Sequence, residues 1–306
     1  MVGGRFMNAQ PIDAPGPSEP DLRDPDVVTD LFGAAAEANR SAGHRHGSTA
    51  HLPNDQSLLM TGDLHDHDLN YRRICRLAAL DNAPDRHLVL HEIVHGPNLV
   101  NGMDLSIRTL ARVAALKVRY PDQVHLLQSN HELAQLRGEG ISKDGVSVVD
   151  RFDEGVEFIY GDRADDVRGA MEDYIRSLLL AVRCPNGVLC SHSVPSPRAL
   201  ERFDFDVLDR EPTDDDLDAR GSGREMVWGR NHTPEVIAEL AERWNVAQFV
   251  LGHQPAEMGY YVETDAALVL ASDHAHGVAL PLSTSKSYDM DGLVESIVPL
   301  ASVVVK

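Results

Sequence analysis

Short apolar runs recur along this chain, and each gives way to a polar residue rather than fading into a loop. Gln56 to Thr61, Arg86 to Leu90, Val124 to Gln128, Gly187 to Cys190 and Ala247 to Leu251 all have this form. Runs of this length bounded by turn residues predict buried strands. Helical spacing fills the gaps between them. Asp68 is placed to cap a helix through Leu80 that gathers Ile74, Leu77 and Ala78 on one face, and a second helix is predicted from about Asp104 to Arg119, where Pro121 closes it. Met171, Tyr174, Ile175, Leu178, Leu179 and Val182 follow helical spacing and predict one amphipathic helix, and Thr233 followed by Pro234 opens another. Strand alternating with helix predicts an α/β domain with parallel strands. Beyond it, Tyr260 to Val262, Ala267 to Ala271, Gly277 to Pro281 and Ile297 to Val305 read as short antiparallel strands, with Pro299 making the last an edge or interrupted one.

Two stretches lack such patterning. Residues 1–55 are rich in Gly, Pro, Asp, Asn and Ser with one short candidate helix, Val27 to Asn39, so a mobile, loosely packed arm is expected ahead of a domain spanning 56–306. His44, His46 and His51 in it are irregularly spaced and read as solvated. Residues 199–223 form an acidic insert with Asp214, Asp215 and Asp216, expected to be a solvated loop.

Composition narrows the function. With 306 residues, a 42% hydrophobic share and no apolar run of membrane-span length, the chain reads as a soluble globular protein. No charged start, apolar stretch and small-residue cleavage site combine into a secretory leader, so a cytoplasmic setting is expected. The net charge of −20 argues against coating a nucleic acid but leaves room for a small phosphate drawn to a local cation. Cys75, Cys184 and Cys190 make neither an even framework nor a Cys-x-x-Cys pair, and are expected to be free buried thiols. Oligomeric state is left open by the sequence.

The informative positions are the strand ends. Five apolar runs finish in Asp63/His65, Glu92, Asn130/His131, His192 and His253. In an open α/β sheet the functional crevice lies outside the carboxyl ends of the strands, so these side chains would collect along one edge. Oxygen and imidazole donors without thiolates suit Mn, Fe, Zn or a similar ion.

In their order, these motifs resemble the calcineurin-like metallophosphoesterases, specifically the phosphoprotein phosphatase type that includes small bacterial serine/threonine phosphatases and diadenosine tetraphosphate hydrolases. The resemblance covers roughly residues 56 to 290. Gly62-Asp63-Leu64-His65 stands for the family's Gly-Asp-x-His, Ser129-Asn130-His131-Glu132 for its Gly-Asn-His-Glu, and Ser191-His192 and Gly252-His253-Gln254-Pro255 for its later histidine segments. Trp228-Gly229-Arg230 is similar to the tryptophan segment of the bacterial phosphatases. The resemblance implies two mixed β-sheets in a sandwich flanked by helices, with two divalent metal ions at its edge: Mn2+ first, with Fe, Zn or Ni as alternatives. It further implies that Asp63 and His65 hold one ion, Glu92 bridges, and Asn130, His192 and His253 hold the other. Such a pair would turn a bridging water into hydroxide that attacks a phosphomonoester on a protein or small molecule. His131 would protonate the leaving group, while Arg230, with Asn130, would bind the phosphate.

One motif departs from the pattern. The family's Gly-Asp-x-x-Asp-Arg-Gly is here His91-Glu92-Ile93-Val94-His95-Gly96, one residue shorter and without the arginine. Glu92 keeps the bridging charge on a longer stem. His95 falls where an aspartate usually orients the catalytic histidine, close enough to approach His131 or the phosphate, and Asp66 replaces a glycine. Reduced or redirected activity is the expectation. The competing readings are a pseudophosphatase that binds metal or phosphate to regulate a partner, and a dinucleoside polyphosphate hydrolase.

Overall fold

A computed structural model describes residues 20–139, 141–143 and 145–305 of the chain. Two sheets dominate it. In spatial order the first contains Val298–Pro299, Val278–Ser283, Ser57–Thr61, Arg86–His91 and Val124–Leu127. Its last three strands are parallel to one another, as the strand–helix alternation predicts, whereas Val278–Ser283 runs antiparallel to Ser57–Thr61. Val298–Pro299 lies at the edge, where proline's missing N–H breaks no ladder. The second sheet has seven strands in the order Arg45–His46, Thr49–His51, Ala181–Arg183, Val188–Ser191, Gln248–Leu251, Ala267–Leu270 and Tyr260–Thr264. Val188–Ser191, Gln248–Leu251 and Ala267–Leu270 run parallel, as do Thr49–His51 and Ala181–Arg183, and the other three pairings are antiparallel. A short hairpin, Ser142–Lys143 with Val146–Ser147, stands apart.

Strand alternation explains the layering. Leu58 and Met60 point inward and meet Cys190, Val250, Leu268 and Leu270 of the facing sheet, while Leu59 points outward into a cluster with Leu88, Leu90 and Leu126 under the helices. Helices Asp68–Ala78, Ile107–Arg119, Val148–Tyr160 and Ala164–Arg176 supply Ile74, Leu110, Phe152 and Tyr174 to that cover. On the far side, Leu189, Phe249 and Val269 pack on Ile237, Leu240 and Trp244 of helix Pro234–Trp244. Helices, sheet, sheet and helices therefore form four layers, the mixed-sheet sandwich that was expected.

Several local expectations change. Residues 20–55 are not a loose arm: Pro25–Arg40 is a helix whose Val28, Phe32, Ala35 and Ala36 are fully buried, with Phe32 stacked on Tyr174 at 5.5 Å between centroids. Thr49–His51 then adds a strand to the larger sheet. The stripe at 28, 32, 35 and 36 lies within the short candidate helix of the sequence, and truncating Phe32 to Ala should cost about 3–5 kcal/mol. Residues 1–19 of the expected arm lie outside the described residues. The helix read from Met171 through Val182 stops at Arg176, and Val182 sits in a strand; all six apolar positions are buried, so helical spacing persisted after the helix had ended. His67, not Asp68, caps the helix Asp68–Ala78, its Nδ1 accepting from the Asn70 N–H at 3.2 Å.

The acidic insert is also more structured than a solvated loop. Asp216 is buried, accepts from both terminal nitrogens of Arg210 at 2.6 and 2.8 Å, and closes a capping box with Thr213. Cys184 and Cys190 are buried and Cys75 half-buried, all as free thiols. Among the described residues no helix is long and apolar enough to cross a membrane.

Candidate metal centre

Several of the predicted residues leave their strands through sharp turns. Gly62 ends the strand Ser57–Thr61 against the other sheet, where a Cβ would lie 2.3 Å from the Leu270 carbonyl oxygen; its absence lets Asp63 form a parallel bridge with Ala271. Beyond the strands, His65 (φ 43°), Glu92 (φ 50°), His95 (φ 62°) and His253 (φ 68°) all adopt left-handed backbone. Each costs roughly 1–2 kcal/mol for a residue with a Cβ. Such strain persists where surrounding contacts hold it, and it gathers at functional sites. Here the contacts are visible. The N–H groups of Leu64 and His65 both donate to the Glu92 carbonyl, at 3.0 and 2.8 Å, and Asp66 N–H donates to Ile93 at 2.8 Å.

These turns deliver a compact cluster. Asn130 Oδ1 lies 2.9 Å from His192 Nε2 and 2.9 Å from His253 Nδ1, and Glu92 Oε2 lies 3.5 Å from the same His192 nitrogen. On the other side, Glu92 Oε1 is 3.9 Å from His65 Nε2 and 3.6 Å from His131 Nε2. The His65 ring is oriented by its Nδ1–H, which donates to the Val94 carbonyl at 3.0 Å and leaves the Nε2 lone pair facing Glu92. Asp63 Oδ1 accepts the His253 backbone N–H at 2.9 Å and sits 3.4 Å from His91 Nδ1 and 3.6 Å from His192 Nδ1.

Donor chemistry fits divalent cations. Three groups of residues have ligand atoms within 4.8 Å of one another: Asp63, His91 and His192; His65, Glu92 and His131; Glu92, His192 and His253. Burial pushes the Asp63 carboxyl up to about 7, against the lowering effect of its hydrogen bonds with Glu92 and the His253 N–H. The same burial pushes His253 down to about 3 and His91 down to about 4, and holds His192 well below its ordinary value. Neutral imidazoles and crowded carboxylates are the state that a cation relieves and stabilises.

His131 opens helix Asn130–Arg137 and lines the cleft, while His95 lies behind it. Their Nδ1 atoms are 2.9 Å apart; His95 Nε2 is 3.1 Å from Gln135 Oε1, and Gln135 Nε2 donates to Asp153 at 2.9 Å. His95 thus lies against His131, on the side away from the cleft-lining Nε2. Glu132 ties the altered motif to this helix, accepting from Ile93 N–H at 2.7 Å and Val94 N–H at 3.1 Å while the Ser129 hydroxyl donates to its other oxygen. Asp66 turns away from the cluster to accept from Thr109.

The cleft above the cluster holds about 390 Å³ and is lined by Asp63, His65, Glu92, Asn130, His131, Arg230 and His253, with Asp273 and His274 on its wall. His192 lies beneath them, fully buried. Arg230 also lines a neighbouring groove with Arg198 and Trp228. Its loop is tied down by His232, whose ring nitrogens lie 2.9 Å from Glu263 Oε2 and 2.9 Å from the Val194 carbonyl, and Glu263 in turn accepts from Gln254 at 3.0 Å.

All nine residues singled out in the sequence therefore come to one edge. Sequence reasoning offered His91 only as a fallback ligand in place of Glu92, and missed the Gln135–Asp153 support and the His232–Glu263 clamp. These pairings span 18 to 101 positions, so no local pattern signals them.

Two mixed sheets flanked by helices, with this cluster at the carboxyl ends of their strands, make the metallophosphoesterase fold. No known family's sequence profile matches the chain. Among solved structures it is similar to a protein serine/threonine phosphatase from Saccharomyces cerevisiae described as having similarity to human phosphatase PP5, with a TM-score of 0.67 and 14% identity over 91% of this chain and 93% of that one. It is also similar to the cold-active protein-tyrosine phosphatase of the psychrophile Shewanella sp., with a TM-score of 0.53 and 15% identity over 86% and 84% of the two chains. At these identities the likeness establishes the shared fold.

Proposed function

We propose that this protein is a dinuclear-metal phosphoesterase that hydrolyses phosphomonoesters, carried on a protein or on a small molecule. The observation that carries the reading is the convergence on Asn130, whose Oδ1 is 2.9 Å from both His192 Nε2 and His253 Nδ1 beside the Glu92 carboxylate. Asp63 and His65 would hold one ion, Asn130, His192 and His253 the other, and Glu92 would bridge. Two divalent ions, Mn2+ first and Fe, Zn or Ni as alternatives, would supply the charge that polarises phosphoryl oxygens and activates water for attack.

The chain's own groups complete the chemistry. Arg230 at the rim presents a planar fork to the phosphate oxygens. His131 faces the cleft through Nε2, the atom from which a proton passes to the leaving alkoxide, while its Nδ1 is held by His95. The buried position of Glu92 and His192 keeps bulk water from competing for these contacts.

The altered second motif favours one competing reading, a metal- or phosphate-binding regulator without turnover, because an imidazole stands where a carboxylate would support His131. One experiment separates them. The purified protein is analysed for bound metal by mass spectrometry, then assayed with Mn2+ on an aryl phosphate, a phosphopeptide and diadenosine tetraphosphate. Two ions per chain and turnover of a monoester are expected. Two ions without turnover of any substrate supports the regulator, and turnover of the tetraphosphate alone moves the substrate class to dinucleoside polyphosphates.

A further inference from the structure

We propose that His91 is a positioning residue that holds His192 in the tautomer protonated at Nδ1, presenting the bare Nε2 to the metal. The inference rests on the metal-centre reading and adds a residue to it. Its starting point is the Thr61 carbonyl, which lies 2.9 Å from His91 Nε2 and can only accept, so His91 carries its proton on Nε2. His91 Nδ1 is then a bare acceptor. It lies 2.8 Å from His192 Nδ1, and two lone pairs cannot face each other at that distance, so the proton between them belongs to His192. His192 Nε2 is left with its lone pair toward Asn130 Oδ1 at 2.9 Å and Glu92 Oε2 at 3.5 Å, acceptors that a cation shared among them reconciles.

An alternative arrangement would need a doubly protonated His91, with His192 donating from Nε2 instead. Complete burial of the His91 ring opposes that charge. The two His192 tautomers carry equal charge, so the selection is one of direction alone. Room for the His91 ring is built in: a Cβ on Gly252 would lie 2.3 Å from His91 Cε1 and 2.4 Å from Asp63 Oδ1. Partners that orient a metal-binding histidine typically contribute 10- to 100-fold in metal affinity.

The test reads Zn2+ affinity and the tautomer, not turnover. In 15N-histidine-labelled, Zn2+-loaded protein, His192 should show a protonated Nδ1 and an Nε2 shifted by the metal. His91→Leu should weaken Zn2+ binding by roughly 10- to 100-fold, and His91→Asn, whose side-chain oxygen falls near the Nδ1 position, should recover much of the loss. A proton on His192 Nε2 in the wild type overturns the proposal, as does an equal loss in both variants or a loss in neither. If His91→Leu fails to fold, the wild-type tautomer and the His91→Asn affinity still decide. Wild-type protein that binds no Zn2+ overturns the metal centre itself, whereas Zn2+ binding without phosphatase turnover removes the proposed activity and leaves this inference standing.

Discussion

The strand Arg86–His91 carries a histidine near each end, and comparing the two shows what turns an imidazole into a site. His87 and His91 are four residues apart and so point to the same face, and both are buried and paired with another histidine. At one end His87 Nδ1 lies 3.0 Å from His125 Nε2. At the other, His91 Nδ1 lies 2.8 Å from His192 Nδ1. What lies beyond the partner is different. Behind His87 and His125 are Gln56, the ring of His44 and the Lys117 ammonium, which donates to the Pro121 and Val124 carbonyls. Beyond His192 are Asn130, Glu92, Asp63 and His253. The first pair fills a core; the second faces acids at the carboxyl end of the sheet, where loops from both sheets converge.

That contrast can be broken experimentally, beginning with the largest expected effect. Glu92→Gln keeps the shape of the bridging side chain and removes its charge, so phosphatase activity should fall by roughly 10³-fold or more with loss of metal measured by mass spectrometry. Retention of both ions would assign the bridge elsewhere. His131→Asn should keep the metal but slow turnover of alkyl phosphates by about 10²–10⁴, with smaller losses on aryl phosphates whose leaving groups need little protonation. Equal losses on both would make His131 a structural residue. Arg230→Ala should weaken substrate binding by roughly 10- to 100-fold, the worth of a charged hydrogen bond, read as a higher KM with intact metal content.

The smallest effect on activity belongs to the other end of the strand. His87→Leu with His125→Leu should leave kcat and metal content unchanged while altering acid stability. Burial pushes His87 down to about 4 in the folded protein, against an ordinary value of 6.5. The unfolded chain therefore takes up a proton first, and stability is lost as pH falls from 6.5 toward about 4. One residue shifted this far accounts for up to about 3 kcal/mol. The double variant should flatten the fall in Tm over that window; an unchanged slope would show that this pair does not govern it.

Much of the architecture and the candidate cluster was legible locally. Short apolar runs ending in Asp63, Glu92, Asn130, His192 and His253 marked both the strands and the polar residues at their ends, because a run and its terminating residue are written in consecutive positions. Pro299 marked an edge for the same reason. Boundaries that depend on distant partners were not legible. Helical spacing ran on past Arg176 because burial against the sheet, not helix geometry, selected Leu178, Leu179 and Val182.

The same limit applies to the residues around the site. Helix Pro25–Arg40 shows its role only once Ala164–Arg176 and Ile107–Arg119 cover its apolar stripe. His91 acquires its partner across 101 positions, Gln135 meets His95 across 40, and His232 meets Glu263 across 31. By itself the sequence determined which residues carry ligand chemistry and that strands deliver them to one edge. The tertiary structure decided which imidazole faces which, and with that where the protons are placed, because a tautomer is set by a hydrogen-bond partner that no local pattern contains.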